Sequence, residues 1–218
     1  MANNTNTKYS TKEKILKYAI KEFLEYGFYG ARMQRIADKA KINKAMLFYY
    51  YKNKKQIYKE ALISIFKTVI ENLINISDED VSIENKIKEI IDIYVDFASK
   101  NPDYLRLVQY EFSRGGKDFT KYNILKDISK SQFFPLNPDT GNIFKYFDKK
   151  MKSGEIRSIN LAHLIISIAG QVMASFFARP LFEAIGVYKP SDFDKFIKER
   201  KEFIVKLVLD GIKPSCRG

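Results

Sequence analysis

Residues 43 to 55 read Asn-Lys-Ala-Met-Leu-Phe-Tyr-Tyr-Tyr-Lys-Asn-Lys-Lys, which gathers lysines, small or flexible apolar side chains and a run of aromatics. If the stretch is helical, Lys44, Ala45, Met46, Phe48, Tyr49 and Tyr50 share an outward face while Leu47 and Tyr51 turn inward. Ala45 and Met46 can touch thymine methyls, and Lys44 can reach guanine O6/N7 or a phosphate. Tyr49 and Tyr50 offer hydroxyl donors to phosphates. Lys52, Lys54 and Lys55 stand at the start of a following helix, where backbone amides also point at anions. Small side chains first, then aromatics and lysines, suit a helix entering a major groove by its N-terminus. By periodicity alone, such an aromatic run also reads as core and such a short charge run as a solvated face.

No comparable set exists for catalysis. His163 is the single histidine and Cys216, near the end of the sequence, the single cysteine, so neither a Cys–His pair nor a His-rich metal site can form. There is no GxGxxG and no Walker A lysine loop. His163 reads as a packed or capping histidine, and Asp/Glu pairs are too common to carry a signal. No enzyme activity, metal or cofactor is expected. One cysteine excludes an intrachain disulfide and fits a reducing cytoplasm. Residues 1–10 are polar, so no signal peptide is expected.

The elements that must position the outward face are legible around it. Ser10 and Glu13 have capping-box spacing. Ile15, Leu16, Ala19, Ile20, Phe23 and Leu24 follow at helical spacing, and Gly27 is placed to end that helix in a left-handed conformation. Met33, Ile36, Ala37 and Ala40 mark a second, short helix. Asn43 is the N-cap of a third, with Ile42 and Leu47 spaced as a hydrophobic staple. About three residues separate the second and third helices, so they cross steeply in helix-turn-helix geometry.

Charge concentrates on the same module. The chain of 218 residues carries +12, and residues 1–60 hold 14 Lys/Arg against 5 Asp/Glu, a net of +9. A Lys-rich composition alone would spread the excess evenly, so the surplus calls for a local anionic partner.

These residues resemble a known family. Gly27-Phe28-Tyr29-Gly30, Ile36-Ala37 and Leu47 to Lys54 are similar to the DNA-binding domain of tetracycline-repressor-like (TetR) transcription regulators, without a gap over residues 11–62. The resemblance implies that Lys44, Ala45, Met46 and Phe48 read bases, and that Tyr49, Tyr50 and Lys54 hold phosphates. Arg32, Met33 and Gln34 complete the DNA-facing set at the head of the second helix. Three positions depart from the family pattern. Ala31-Arg32-Met33 stands where a capping Thr or Ser is usual, and Arg32 can supply charge to a phosphate but no cap. Lys41 replaces the turn glycine, so a left-handed residue there would cost about 1 kcal/mol more. Phe48 replaces a tyrosine and lacks its hydroxyl.

The remaining sequence predicts an all-α chain of about nine helices. Residues 54–76 form one long helix, broken at Asp78-Glu79-Asp80. Ser82, Asn101-Pro102 and Asn137-Pro138 mark further helix starts, while Gly115-Gly116, Gly154 and the segment from Gly186 to Pro190 mark stops. Residues 161–178 carry no formal charge, but His163, Ser167, Gln171 and Ser175 interrupt them. A buried helix with small residues (Ala162, Ala169, Gly170, Ala174, Ala178) at a close helix contact is expected, with no stable membrane insertion. Residues 192–210 place Phe193, Phe196, Ile197, Ile204, Leu207 and Val208 on one stripe and Phe203, Val205 and Leu209 on another. Two faces to bury suggest an isologous homodimer through about 160–179 and 192–210, which agrees with the family pattern.

The expected organisation is a DNA-binding domain over 1–53, its motif at about 32–51, and an effector-binding and dimerisation domain over 54–218. The resemblance also implies an apolar cavity for a small effector in the aromatic-rich middle. Tyr94, Tyr110, Glu111 and Gln171 are its candidate polar groups, with Phe134 and Phe147 in its wall. The function expected is a cytoplasmic, dimeric regulator, a repressor on a palindromic double-stranded operator released by a largely apolar effector. The rivals are a basic peripheral membrane protein anchored by 161–178 and a nonspecific nucleoid-binding protein.

Overall fold

The first helix begins where Ser10 and Glu13 exchange bonds: the Glu13 N–H donates to Ser10 Oγ at 3.2 Å and the Ser10 N–H to Glu13 Oε2 at 2.8 Å. That closes the expected capping box and satisfies two orphan amides of α1 (Thr11–Gly30). The computed structural model describes residues 10–74, 81–117, 121 and 141–214. Those residues carry ten α-helices, one short 3-10 turn and no strand. Asn137-Pro138, Phe134 and Cys216 lie outside them.

Gly27 does not finish α1 as expected. Its φ of 64° and ψ of 176° kink the chain, which then makes one more turn to Gly30, with the Ala31 N–H donating to the Gly27 carbonyl at 3.1 Å. A side chain there would also meet the Tyr110 hydroxyl at 3.2 Å, so only glycine satisfies both constraints. α2 (Met33–Ala40) and α3 (Lys44–Tyr50) are joined by Lys41, Ile42 and Asn43. Lys41 takes the left-handed conformation (φ 54°, ψ 47°) that the family pattern assigns to glycine. Asn43 Oδ1 accepts the Met46 N–H at 2.7 Å, the expected N-cap of α3. α4 (Lys54–Ile74) is started by Asn53, whose Oδ1 accepts the Gln56 N–H at 2.9 Å.

The described residues pack as two compact units. The first comprises the chain up to Phe66 together with the segment from Asp103, which brings in α6 (Pro102–Ser113). Its core holds Ile15, Ala19, Ile20, Phe23, Ile36, Ala37, Ala40, Leu47, Tyr51, Ile57, Tyr58, Ala61 and Leu62, each at most 1% exposed. Tyr58 meets Phe23 edge-on at 4.7 Å and Phe28 at 5.1 Å. The division at 53/54 is therefore not a packing boundary, because the first turns of α4 complete this core.

The second unit contains the end of α4, α5 (Ile83–Lys100), α7 (Asn142–Lys152), α8 (Leu161–Phe177), α9 (Arg179–Ala184) and α10 (Phe193–Ile212). Ser82 caps α5 through the Asn85 N–H at 3.3 Å. Ile87, Ile90, Ile91, Tyr94, Phe147, Ile168, Val172, Ile204 and Val208 form its centre. Arg157 closes the end of α10, its backbone N–H donating to Ile212 O at 3.0 Å and its Nε to Gly211 O at 2.7 Å.

Three expectations change here. Val205 is buried and Leu207 is half-exposed, the reverse of the stripes read from sequence, because α10 is apolar around too much of its girth for periodicity to choose. His163 is exposed on α8, neither packed nor capping. Ala162, Gly170 and Ala174 face outward with Ile166, opposite the buried Leu164, Ile165, Ile168 and Val172. Among the described residues no helix is long and apolar enough to cross a membrane.

Candidate nucleic-acid interface

α3 is fixed from below and open above. Leu47 and Tyr51 are fully buried, while Lys44, Ala45, Met46, Phe48, Tyr49 and Tyr50 are exposed, Tyr49 by 84%. Tyr49 and Tyr50 brace each other edge-to-face at 5.5 Å, and the Lys44 ammonium lies 5.9 Å from the Phe48 ring centre. Burial of the Tyr51 phenol pushes its pKa up, so it stays neutral and acts as a structural floor under the exposed face.

The cations around this face divide into committed and uncommitted groups. Arg32, at the N-cap of α2, is exposed and makes no side-chain cap bond. Met33 is half-buried, and Gln34 Nε2 donates to Asp38 Oδ1 at 2.8 Å. Lys54 uses its ammonium inside the unit, donating to Tyr29 O and Ala31 O, both at 3.0 Å, with the Phe28 ring 5.0 Å away. It ties the start of α4 to the end of α1.

The sequence reading missed Glu22, the group that sets α1 against α2. Its carboxylate is fully buried; Oε1 accepts Arg35 Nε at 2.6 Å and the Arg32 N–H at 3.1 Å, and Oε2 accepts Lys39 Nζ at 3.2 Å. Arg35 also donates to Gly30 O at 2.7 Å and stacks 3.9 Å over Tyr26. Glu25 shares Lys39 at 3.2 Å, and that hydrogen bond is the main reason the Lys39 ammonium titrates above its ordinary range. Glu22 lies seven residues after Ile15 and three after Ala19, squarely on the buried stripe, and that spacing was its signal. Arg35 and Lys39 therefore carry less free charge toward DNA than the count of +9 suggests.

The effector candidates divide between the units. Tyr94 and Phe147 lie in the core of the second, where burial pushes the Tyr94 phenol up to about 12. Gln171 lines a separate groove of about 500 Å³ with Arg157, Asn160, His163, Ser167 and Leu207. Tyr110 and Glu111 belong to the first unit. Glu111 is fully buried; its Oε1 accepts the Tyr58 hydroxyl and Arg114 Nη1 at 3.3 Å, and its Oε2 has no partner. Among the described residues no cluster of three His, Cys, Asp or Glu could hold a metal.

A floor of Leu47 and Tyr51, an open reading face and a steep three-residue joint form a helix-turn-helix head. Residues 15–61 match the family model described as bacterial regulatory proteins, tetR family. Residues 15–61 are a tetR-family head. The chain's relatives extend the likeness past the head. The HTH-type transcriptional regulator RutR of Escherichia coli K12 is 26% identical over 212 residues, covering 93% of this chain and 91% of that one. The HTH-type transcriptional repressor SCO4008 of Streptomyces coelicolor is 31% identical over 102 residues, 47% of this chain and 50% of that one. A TetR-family transcriptional regulator from Haemophilus influenzae shares the fold with a TM-score of 0.66 at 16% identity, covering 93% and 96% of the two chains. With this head and these relatives, the chain is a helix-turn-helix DNA-binding regulator of transcription, all-α among its described residues.

Proposed function

We propose that the protein represses transcription by binding a palindromic operator as a homodimer, and that a small, largely apolar effector releases it. The observation that carries this reading is the exposed face of α3 standing on a fully buried floor in a head with a net charge of +9. Lys44, Ala45, Met46 and Phe48 read base edges. Tyr49, Tyr50 and Arg32 hold phosphates, with Met33 and Gln34 at the margin of the contact. Lys54 serves DNA binding by fixing α4 to α1. In functional terms, residues 1–53 carry the DNA contacts and 54–218 the effector and dimer contacts, and the protein acts in the cytoplasm.

One α3 spans few base pairs, whereas two heads about 34 Å apart read a palindrome on one side of the duplex. The outward faces of α8 and α10 support the pairing: Ile166, Phe203 and Leu207 are 68%, 56% and 49% exposed beside the small Ala162, Gly170 and Ala174. An effector lodged near Tyr94, Phe147 and Gln171, or near Tyr110 and Glu111, lowers operator affinity if it prefers a conformation whose heads miss the half-site spacing. α4 is the available lever, since its Tyr58 packs in the first unit and its Leu73 in the second.

Selection of bound duplexes from a random pool, with competition against random DNA at fixed salt, tests the reading. A two-fold symmetric site bound at least a thousandfold above random DNA is expected. Equal binding of all sequences would leave only a nonspecific DNA-binding protein.

A further inference from the structure

The side chains available to α3 set the chemistry of its half-site. We propose that this protein recognises thymines by their 5-methyl groups through Ala45, Met46 and Phe48, with Lys44 the basic donor of the reading face. The inference rests on the operator-binding reading above and specifies what the operator contains.

Paired reading of adenine N6/N7 needs both the oxygen and the nitrogen of an amide. Asn43, at the head of α3, has its Oδ1 occupied by the Met46 N–H at 2.7 Å. The Gln34 nitrogen is held by Asp38 at 2.8 Å. Paired reading of guanine O6/N7 needs an unengaged basic group. Arg35 and Lys39 are tied to Glu22, and Lys54 to two backbone carbonyls. The one basic residue on α3 itself is Lys44, whose ammonium lies along the face, 5.9 Å from the Phe48 ring, while Arg32 at the N-cap of α2 is assigned to a phosphate.

What the face presents instead is apolar. Ala45 is exposed, and Met46 and Phe48 are 41% and 40% exposed, on a helix of seven residues. Of the groups on base edges in the major groove, only the thymine 5-methyl is apolar. Covering a G·C edge with Met46 or Phe48 would strip water from O6, N7 and N4 without returning a hydrogen bond, so the same side chains that favour thymine reject G·C. Phe48 reinforces this, because it has no hydroxyl with which to answer a polar edge.

The test starts from the site selected out of the random pool. Each half-site thymine is replaced singly by deoxyuracil, which removes the methyl and keeps every pairing and hydrogen-bonding atom. A loss of about fourfold is expected at each contacted thymine, the equivalent of ~0.8 kcal/mol for one buried methylene-sized group. Met46→Ala and Phe48→Ala should each abolish the deoxyuracil effect at one position and leave the dependence of affinity on salt unchanged, since phosphate contacts persist. Both side chains are part-exposed, and circular dichroism checks that the head stays folded. A symmetric site whose core is G·C, or whose deoxyuracil forms all bind as well as thymine, overturns the inference while leaving operator binding intact. If no symmetric site is selected, the operator reading fails and this inference with it.

Discussion

Glu22 and Arg35 meet at 2.6 Å between α1 and α2, the carboxylate fully buried and the guanidinium side chain 29% exposed. That asymmetry determines which partner is costly to remove. Arg35→Ala leaves a buried carboxylate held only by Lys39 and one backbone N–H, whereas Glu22→Gln leaves two cations that can turn to water. Removing a partner of a buried pair typically costs about 3–5 kcal/mol, and the bonds that persist to Glu22 put Arg35→Ala near the lower end, ~3 kcal/mol. Glu22→Gln should cost less, ~2 kcal/mol after discounting for the exposure of its partners. Urea unfolding of both single variants and the double variant measures this, and the double should cost less than the sum. A larger loss for Glu22→Gln would show that its packing outweighs its charge.

Lys41 holds a left-handed backbone at φ 54°, where a side chain is strained and glycine is not. Lys41→Gly should therefore stabilise the protein by about 1 kcal/mol. For a chain of this size that raises the thermal midpoint by roughly 2–4 °C. An unchanged or lower midpoint would mean that the glycine's extra freedom in the unfolded chain cancels the relief of strain.

Local rules explain why the head was legible. The capping box at Ser10 and the cap at Asn43 involve atoms three residues apart, and the left-handed turn at Lys41 follows from a three-residue joint. Nothing local betrays that Glu111 of α6 meets Tyr58 of α4, fifty-three residues away, and this is why the packing boundary differs from the division expected at 53/54. Glu22 was hidden for another reason: a charged residue on an apolar stripe looks like an interruption until its partners on the next helix are known. On α10 periodicity grouped Leu207 with one apolar stripe and Val205 with the other, and the structure exchanges the two, because two apolar faces leave the pattern degenerate. The exposed residues of α3 were identified correctly as a set, since Leu47 and Tyr51 take the inward positions and leave the others no choice.

Glu111 keeps one carboxylate oxygen unpartnered while Tyr58 and Arg114 serve the other. Tyr58→Phe removes a donor from a fully buried acidic side chain and should cost about 1–3 kcal/mol. Glu111→Gln keeps an oxygen for the Tyr58 hydroxyl, so it should cost less. Denaturant midpoints of the two variants decide the order, and the reverse order would mean that the contact with Arg114 outweighs the Tyr58 hydroxyl.

Tyr94 makes the stability of the fold fall at high pH. Burial raises its phenol pKa from 10.0 to about 12 in the folded protein, so the neutral form is favoured by folding. The associated stability is fully present below pH 10 and drains away as pH rises through about 12, where the folded phenol finally ionises. Tyr94→Phe cannot ionise and loses no stability by this route. Between pH 8 and pH 11 wild type should lose roughly 1 kcal/mol more than Tyr94→Phe in urea unfolding, the other titrations being common to both. Parallel losses would show that the phenol reaches water before the fold opens.

Leu207 of α10 lines the same groove as His163, Ser167 and Gln171 of α8, so the outward faces of the two helices are continuous. Phe203 and Leu207 stand half-exposed on that surface, where a lone subunit would leave them against water. Phe203→Glu with Leu207→Glu should convert a dimer to a monomer in sedimentation equilibrium, because two pairs of charges would be buried face to face without partners. The fold of each subunit should persist, since neither residue belongs to the core. Operator binding should then fall far more than a change outside the head would otherwise warrant. Two linked heads bind the second half-site at an effective concentration around the millimolar range, and a monomer forfeits that gain while keeping every contact of α3. The decisive comparison is a single half-site against the full palindrome: the double variant should bind both equally, and wild type should prefer the palindrome by at least about a hundredfold. A double variant that stays dimeric would move the subunit contact away from α8 and α10.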